Sequence, residues 1–416
     1  MAVLRVEGGR ILSGEVNVQG SKNAVLPILA ACILCKDAVC IQQCPKIKDV
    51  YAMISLMQGI GCKVKWETDG LVIDAGSLNT EIIPEQEARE MRSSIIVLGA
   101  MLGRTGKVEI SYPGGCSIGG RPIDIHLKSF EKMNVKMIEM DNKIRCMTEE
   151  LKGSEIEFYF PSVGATENVV LAAVLAKGIT IIRNAAKEPE IVELCSFLRK
   201  MGADIEGDGT DILKIKGVQS LHGVKYRVVS DRIVAGTYLA AVAGIGGELY
   251  LHANCTRQQK EVVDLLYLMG VEMQETEGGL YVKSSGRLKK IGLIRTRPYP
   301  GFPTDMQSQF MAILTKAEGV NIMVENIFEG RYKTAGELTK MGADIVIDGR
   351  AAVIRQVKKL KGTDVTAHDL RGGAALVIAA MMAEGVTTIA NPHFIQRGYE
   401  DIVTSYRSLG AEISLQ

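Results

Sequence analysis

Met201-Gly202-Ala203-Asp204-Ile205 and Met341-Gly342-Ala343-Asp344-Ile345 are two copies of one short phrase. Four variants accompany them: Ile60-Gly61-Cys62-Lys63-Val64, Met133-Asn134-Val135-Lys136-Met137, Met269-Gly270-Val271-Glu272-Met273 and Leu409-Gly410-Ala411-Glu412-Ile413. Each closes a helical pattern on glycine, or on asparagine at 134, and then alternates as a half-buried strand does. Glycine accepts the left-handed conformation that satisfies a helix's last carbonyls, and asparagine is its usual substitute. Positions 61, 134, 202, 270, 342 and 410 are 73, 68, 68, 72 and 68 residues apart. Six units of about 70 residues therefore account for nearly all of the 416.

A second phrase lies between these. Ala173 to Ile182 reads as helix, stop at Gly178, then strand; Ala380 to Ile389 with Gly385, Ile313 to Val324 with Gly319, and Leu98 to Ile110 with Gly106 match it. Each unit thus holds two helices and several short strands, too little to bury its own helices, so the units are expected to pack around shared cores. A chain of this length exceeds one ordinary core, and six units over two domains gives three per domain. Strands at about Val3–Glu7 and Gly14–Val18 precede the first full unit, and the last unit ends without a closing hairpin. Residues 1–20 are therefore expected to complete the second domain with 230–416. Residues 21–229 would form the first, with the second crossing near Val228 to Arg232. The fold class is α/β.

Composition narrows the function. The formal net charge is +1, with 49 basic and 48 acidic side chains, which gives no global pull towards nucleic acid or an anionic membrane. The apolar run from Ala24 to Leu34 is short of the roughly 20 residues that span a bilayer, and no secretion signal opens the chain. A cytoplasmic protein is expected. Of nine cysteines, Cys32, Cys35, Cys40 and Cys44 crowd together, but among Leu29, Ile33, Leu34, Val39 and Ile41, where cysteine packs as a small hydrophobe.

Cys116 differs. It sits in Pro113-Gly114-Gly115-Cys116-Ser117-Ile118-Gly119-Gly120-Arg121-Pro122-Ile123-Asp124-Ile125-His126, a glycine-rich loop that runs into a polar rim. Such a loop allows close approach of a ligand to backbone and suits an active-site lid. Gly20-Ser21-Lys22-Asn23 leaves a strand and opens the apolar run, where free amides and Lys22 suit a phosphate or carboxylate. Pro27 is expected to fall in the first turn of that helix, where proline is tolerated. Arg92, Arg121, Arg331, Arg371 and Arg397 recur in small-residue or apolar settings, and arginine captures carboxylate and phosphate in bidentate fashion. Any one of them alone reads as a surface ion pair. Asp305, in Pro303-Thr304-Asp305-Met306-Gln307, suits a general base or a helix cap. No metal loop, paired histidine ligands or Walker sequence occurs, so no cofactor or metal is called for.

These residues together resemble the UDP-N-acetylglucosamine enolpyruvyl transferases. The resemblance runs from residue 1 to about 413. It rests on Gly20-Ser21-Lys22-Asn23-Ala24, Pro113-Gly114-Gly115-Cys116 with Arg121-Pro122 and His126, and Ser162-Val163-Gly164-Ala165-Thr166. Phe302 to Gln307, Asp369-Leu370-Arg371 and Arg397-Gly398-Tyr399-Glu400 carry it further. It implies the two-domain inverted α/β barrel, three repeats per domain, with an active site in the cleft between them. It also implies transfer of the enolpyruvyl group of phosphoenolpyruvate to the 3′-hydroxyl of UDP-N-acetylglucosamine.

By the same resemblance Cys116 is the general acid and the site of a covalent adduct, and Asp305 takes the hydroxyl proton. Lys22, Asn23, Arg121 and Arg397 hold phosphate, and Arg331 and Arg371 clamp the carboxylate. Arg92, Arg121, Pro122, Ile123, Asp124, Ile125, Ser162, Val163, Gly164, Asp305 and Ile327 bind the UDP-sugar, and Asp369 lies beside the reacting centre. Sugar binding closes the Cys116 loop, and the epoxide antibiotic fosfomycin is expected to alkylate Cys116. One departure concerns the nucleotide: many members carry lysine where this chain has Phe160, so an aromatic face stands in for a cation. Two alternatives remain, the sister reaction on shikimate 3-phosphate and a catalytically silent UDP-sugar-binding paralogue.

Overall fold

The computed structural model describes residues 2–114, 118–119, 122–253 and 256–416. The chain divides into two compact units. The first takes residues 20–114 and 122–229; the second takes the N-terminal residues to Gln19 and Ser230–Gln416, together with Ile118 and Gly119.

All ten stops named above adopt the left-handed conformation. Gly61, Asn134, Gly202, Gly270, Gly342 and Gly410 have φ between 69° and 102°, as do Gly106, Gly178, Gly319 and Gly385. Each is followed within two residues by a strand: Lys63–Glu67 after Gly61, Asp344–Asp348 after Gly342, Ile179–Arg183 after Gly178, and so on. The helix-stop-strand phrase is therefore a real structural period.

Among the described residues there are six sheets, three in each unit, on one plan. Two antiparallel ladders join three strands, and a short strand adds in parallel at one edge. In the first unit Glu155–Glu157 pairs in parallel with Ile179–Arg183, which continues antiparallel to Ile212–Lys216 and Asp204–Glu206. The three-stranded sheet of Lys107–Ser111, Lys143–Met147 and Lys136–Met140 keeps the plan through a lone parallel bridge, Ile82 to Glu109. In the second unit the last sheet lacks its own middle strand. Val3–Glu7 supplies it, lying antiparallel between Val386–Ala390 and Glu412–Leu415. Leu12–Asn17 likewise pairs in parallel with Gly247–His252.

The helices fall into two kinds. Three in each unit are buried nearly all round: Lys22–Cys32, Val97–Thr105 and Val163–Ala173 in the first, Arg232–Ile245, Gln307–Leu314 and Leu370–Met382 in the second. The others, such as Pro189–Lys200 and Lys333–Lys340, bury one face and are amphipathic. A helix apolar on every side belongs inside, and these trios form the middle of the two separate hydrophobic cores.

Pro27 corrects the expectation for the first helix. The helix begins at Lys22, capped by Ser21 Oγ accepting from Ala24 N at 3.3 Å, and Pro27 lies inside it. A proline there removes one helical donor and crowds the preceding turn, at a cost of about 3 kcal/mol in an exposed helix. Here Ala24 through Cys32 are all buried, and two large aliphatic side chains buried in full outweigh that cost at about 1.5–3 kcal/mol each.

The crowded cysteines are core residues: Cys32, Cys35 and Cys44 are buried and Cys40 is half-buried, as are the more distant Cys62, Cys146 and Cys195 buried. Burial pushes the thiols of Cys62, Cys146 and Cys195 up to about 12. Since the thiolate is the nucleophile, these three should resist iodoacetamide at neutral pH in the folded protein and react once it is denatured. Peptide mapping after timed labelling checks this; rapid native labelling of all three would contradict the packing described.

Candidate functional site

A helix buried on every side offers chemistry only at its ends, and the trios present theirs together. In the first unit a side chain on Gly99 would strike Asn168 O at 2.1 Å, and one on Gly103 would meet Leu34 and the Leu171 carbonyl. From Gly99 to Gly103 the contact advances from Asn168 to Leu171 and reaches Leu34, just past the end of the first helix, so the three run parallel. The second unit repeats this. Gly236 lies against Met306 at the helix starts, and Gly244 against Met382 and Ile313 at the ends. Each trio gathers three N-termini, with their free amides and positive dipole ends, at one end of its core. About half of the residues singled out by sequence lie at these six starts or in the turns that lead into them.

In the first unit Lys22 and Asn23 open helix Lys22–Cys32. The Lys22 ammonium pairs with Asp49 Oδ2 at 2.7 Å, both side chains being largely buried. Arg92 begins the short 3-10 turn Arg92–Ile96 that leads into Val97–Thr105, and its Nη1 donates to Pro113 O at 3.4 Å, at the base of the Cys116 loop. Burial pulls the Arg92 guanidinium below its ordinary range. Ser162 caps Val163–Ala173, accepting from Ala165 N at 3.3 Å, so Val163 and Gly164 form the first turn. Pro122 and Ile123 lead to helix Asp124–Lys132, which contains Ile125. Asp124 accepts from the Tyr159 hydroxyl at 3.1 Å and from Lys128 at 3.4 Å. Its neighbour His126 lies next to Gly164. Arg92, Asp124, Ile125 and the Ser162 turn are therefore brought into one neighbourhood.

In the second unit Asp305 sits in the 3-10 turn Thr304–Met306 that leads into Gln307–Leu314. It does not cap that helix. Its Oδ1 accepts from Arg331 Nη2, and its Oδ2 from Arg371 Nη2 at 3.1 Å. Both arginine side chains are only 3% exposed, so neither is a surface ion pair. Asp369 caps Leu370–Met382 through Oδ1, which accepts from the amides of Arg371 and Gly372 at 2.9 Å. Burial works against charge on Arg371, but Asp305, with Tyr399 and Asp231, outweighs it and raises the guanidinium above its ordinary range. The donors exceed what Asp305 accepts: Arg331 Nε and Arg371 Nη1 are buried without a partner among the described residues, as is Asp369 Oδ2. Arg397 ends the 3-10 turn Pro392–Arg397. The segment after it is held by Gln19, whose amide donates to Gly398 O at 3.1 Å and accepts from Glu400 N at 2.8 Å.

Cys116 and Arg121 lie outside the described residues. Within the second unit Ile118 O accepts from Gly330 N at 2.9 Å, beside Arg331. In the first unit Gly114 packs against the Arg89 carbonyl, which a Cβ there would meet at 1.9 Å.

Sequence reasoning missed several participants. Asp49, the partner of Lys22, lies in an unremarkable Lys46-Ile47-Lys48-Asp49 stretch. Glu325 is fully buried and accepts from Thr304 Oγ1 and Thr296 Oγ1, both at 2.9 Å, and from Ile327 N at 2.7 Å, holding the Asp305 turn and Ile327 together. Asn168 had a legible signal: an asparagine inside an apolar helical run, with its amide buried, has to be hydrogen-bonded.

The family model described as EPSP synthase (3-phosphoshikimate 1-carboxyvinyltransferase) matches residues 6–405. A protein of Caldanaerobacter subterraneus subsp. tengcongensis, UDP-N-acetylglucosamine 1-carboxyvinyltransferase 2, is 47% identical over 413 residues, 99% of each chain. The UDP-N-acetylglucosamine 1-carboxyvinyltransferase of Halothermothrix orenii is 42% identical over 414 residues, again 99% of each. Among solved structures, the enolpyruvyl transferase NikO of Streptomyces tendae superposes with a TM-score of 0.91 at 24% identity, covering all of this chain and 99% of that one. The EPSP synthase of Acinetobacter baumannii gives 0.75 at 18% identity over the same shares. Those two likenesses concern the fold alone. The length and level of identity to the curated relatives settle the affiliation: this chain belongs to the enolpyruvyl transferase family, with the UDP-N-acetylglucosamine 1-carboxyvinyltransferases.

Proposed function

We propose that this chain transfers the enolpyruvyl group of phosphoenolpyruvate to the 3′-hydroxyl of UDP-N-acetylglucosamine and releases phosphate, the first committed step of peptidoglycan synthesis. The observation that carries this reading is the buried Arg331–Asp305–Arg371 group with its spare N–H donors. Two rigid guanidinium forks suit a planar substrate carboxylate. A carboxylate taking up those donors would leave Asp305 oxygen free to accept the proton of the attacking hydroxyl. Lys22 and Asn23, at a helix start, and Arg397 suit the phosphate; Arg121 joins them in this reading.

In this reading the chemistry is an addition followed by an elimination. The Cys116 thiol protonates the methylene carbon of phosphoenolpyruvate, and the sugar oxygen bonds to its C2 as Asp305 takes the hydroxyl proton. In the elimination the Cys116 thiolate takes a methyl proton back as the C–O bond to phosphate breaks, which restores the double bond on the sugar ether, and the proton held by Asp305 is free to leave with phosphate. An unperturbed thiol still holds its proton near neutral pH, as the first step requires. Arg92, Pro122 to Ile125, Ser162 to Gly164 and Ile327 would hold the UDP-sugar, with half-exposed Phe160 available to stack on the uracil. Donors preset around developing charge supply most of the rate in such sites. No helix among the described residues is long and apolar enough to cross a membrane.

The sister reaction is disfavoured, because the full-length relatives at 42–47% identity carry the UDP-sugar name while the EPSP synthase likeness stands at 18%. Phosphate release from phosphoenolpyruvate decides the matter. Release is expected with UDP-N-acetylglucosamine and not with shikimate 3-phosphate; the reverse would install the sister reaction, and release with neither would leave a binding protein.

Arg371→Lys should lower kcat/KM for phosphoenolpyruvate by about 100-fold, the loss of one bidentate charged contact in the transition state. Steady-state kinetics with both substrates varied would reveal it, and an unchanged value would remove Arg371 from the carboxylate clamp. Fosfomycin should add one covalent adduct on Cys116, read by intact mass and peptide mapping. Cys116→Asp, which keeps a group able to deliver a proton, should retain turnover and gain no adduct; an adduct elsewhere would overturn the assignment.

A further inference from the structure

Asn168 is fully buried in the middle of helix Val163–Ala173 and makes three hydrogen bonds. Its Oδ1 accepts from Gly99 N at 2.7 Å, and its Nδ2 donates to Ile95 O at 2.9 Å. A backbone N–H can only donate and a carbonyl can only accept, so these two contacts decide which way the amide points. The third contact, Nδ2 to His126 Nδ1 at 2.8 Å, then has only one solution. His126 Nδ1 is the acceptor, and the imidazole proton is on Nε2. Protonating Nδ1 would set donor against donor.

The free side of the ring is equally constrained. His126 is buried, and a Cβ on Gly164 would lie 3.3 Å from its Cε1 and 3.6 Å from its Nε2. The Cε1–Nε2 edge therefore faces the first turn of helix Val163–Ala173, and glycine at 164 leaves room along it. We propose that Asn168 is a positioning residue, which holds His126 as a neutral imidazole so that its Nε2–H serves as a donor to an oxygen of the nucleotide bound at Ser162–Gly164. This rests on the reading above that the Ser162 turn takes the UDP-sugar; the tautomer itself does not. The electrostatics agree. Burial pushes the imidazole down to about 4, with Arg92 on the neighbouring turn adding to the depression and Asp124 on its own helix opposing it. A neutral donor there keeps its proton across the physiological range, where an ordinary histidine titrates.

The test is nitrogen NMR of the full chain labelled with 15N-histidine. The chain has five histidines, and the signal lost in His126→Gln identifies the one of interest. It should show the neutral Nε2–H tautomer and stay unchanged between about pH 6 and 8. Adding UDP-N-acetylglucosamine, then UDP and uridine separately, should move its Nε2 resonance and show whether a phosphate or a base oxygen is the acceptor. In Asn168→Asp the carboxylate would accept from Nδ1–H, so the ring should become a cation near neutral pH. UDP-N-acetylglucosamine affinity, measured by calorimetry, should then vary with pH where the parent protein's does not. An Nδ1–H tautomer, or titration near pH 6.5 in the parent protein, would overturn the positioning role. The expected tautomer with an Nε2 resonance unmoved by bound UDP-N-acetylglucosamine would overturn the donor role. Absence of any calorimetric binding by the parent protein would instead count against the substrate reading, leaving the tautomer standing.

Discussion

A helix that is apolar on every side needs cover on every side, and only its ends remain for chemistry. Among the described residues there are six such helices, buried three to a unit. Close parallel packing follows from small residues at the contacts, such as Gly99 against the Asn168 backbone and Gly244 between Ile313 and Met382. Parallel packing aligns three helix dipoles, which is unfavourable by itself, and leaves three sets of amide donors at one end. Polar side chains answer at those starts: Ser21, Ser162, Asp231 and Asp369 as caps, with Arg92 and Asp305 on the 3-10 turns that lead in. The hydroxyl and carboxylate caps are thus where the core's own geometry asks for acceptors, while Lys22 and Arg371, basic at positive helix ends, are held there by Asp49 and Asp305.

What those starts hold is strongly constrained by burial. Asp305 between Arg331 and Arg371, and Lys22 on Asp49, are ion pairs largely removed from water. Removing one partner of such a pair strands the other, at a cost of about 3–5 kcal/mol. Glu325 and Asn168 act at the next remove. Each is fully buried and satisfied by several donors or acceptors from different segments, and each ties together two stretches that sequence alone had marked separately. Leaving any of these bonds unmade would cost about 1–3 kcal/mol, so the arrangement is rigid for a physical reason.

The departure at Phe160 falls in a different setting. Tyr159 is 69% exposed and Phe160 40%, and the Tyr159 hydroxyl donates to Asp124. Two adjacent aromatic faces there offer surfaces for stacking, where the resemblance led one to expect a cation. Stacking is a short-range surface contact, which salt screens far less than the long-range attraction of a charge.

The periodic skeleton was legible in the sequence because its rules are local. A helix stop and the strand after it are written within about ten residues, and the left-handed stops from Gly61 to Gly410 follow from steric preference at one position. The motif resemblance likewise named the residues at the helix starts. Tertiary structure decided what sequence spacing does not encode. Asp305 meets Arg331 from 26 residues away and Arg371 from 66, and Asn168 meets His126 from 42. The strand Val3–Glu7 finds its partners at the far end of the chain. Even Pro27, which local rules place in a first turn, sits deeper in its helix because burial of the surrounding apolar run outweighs the lost bond. Sequence set the repeat and the residue types at each helix start; packing chose which charges meet, because those contacts form only when distant helix starts are brought to one end of a shared core.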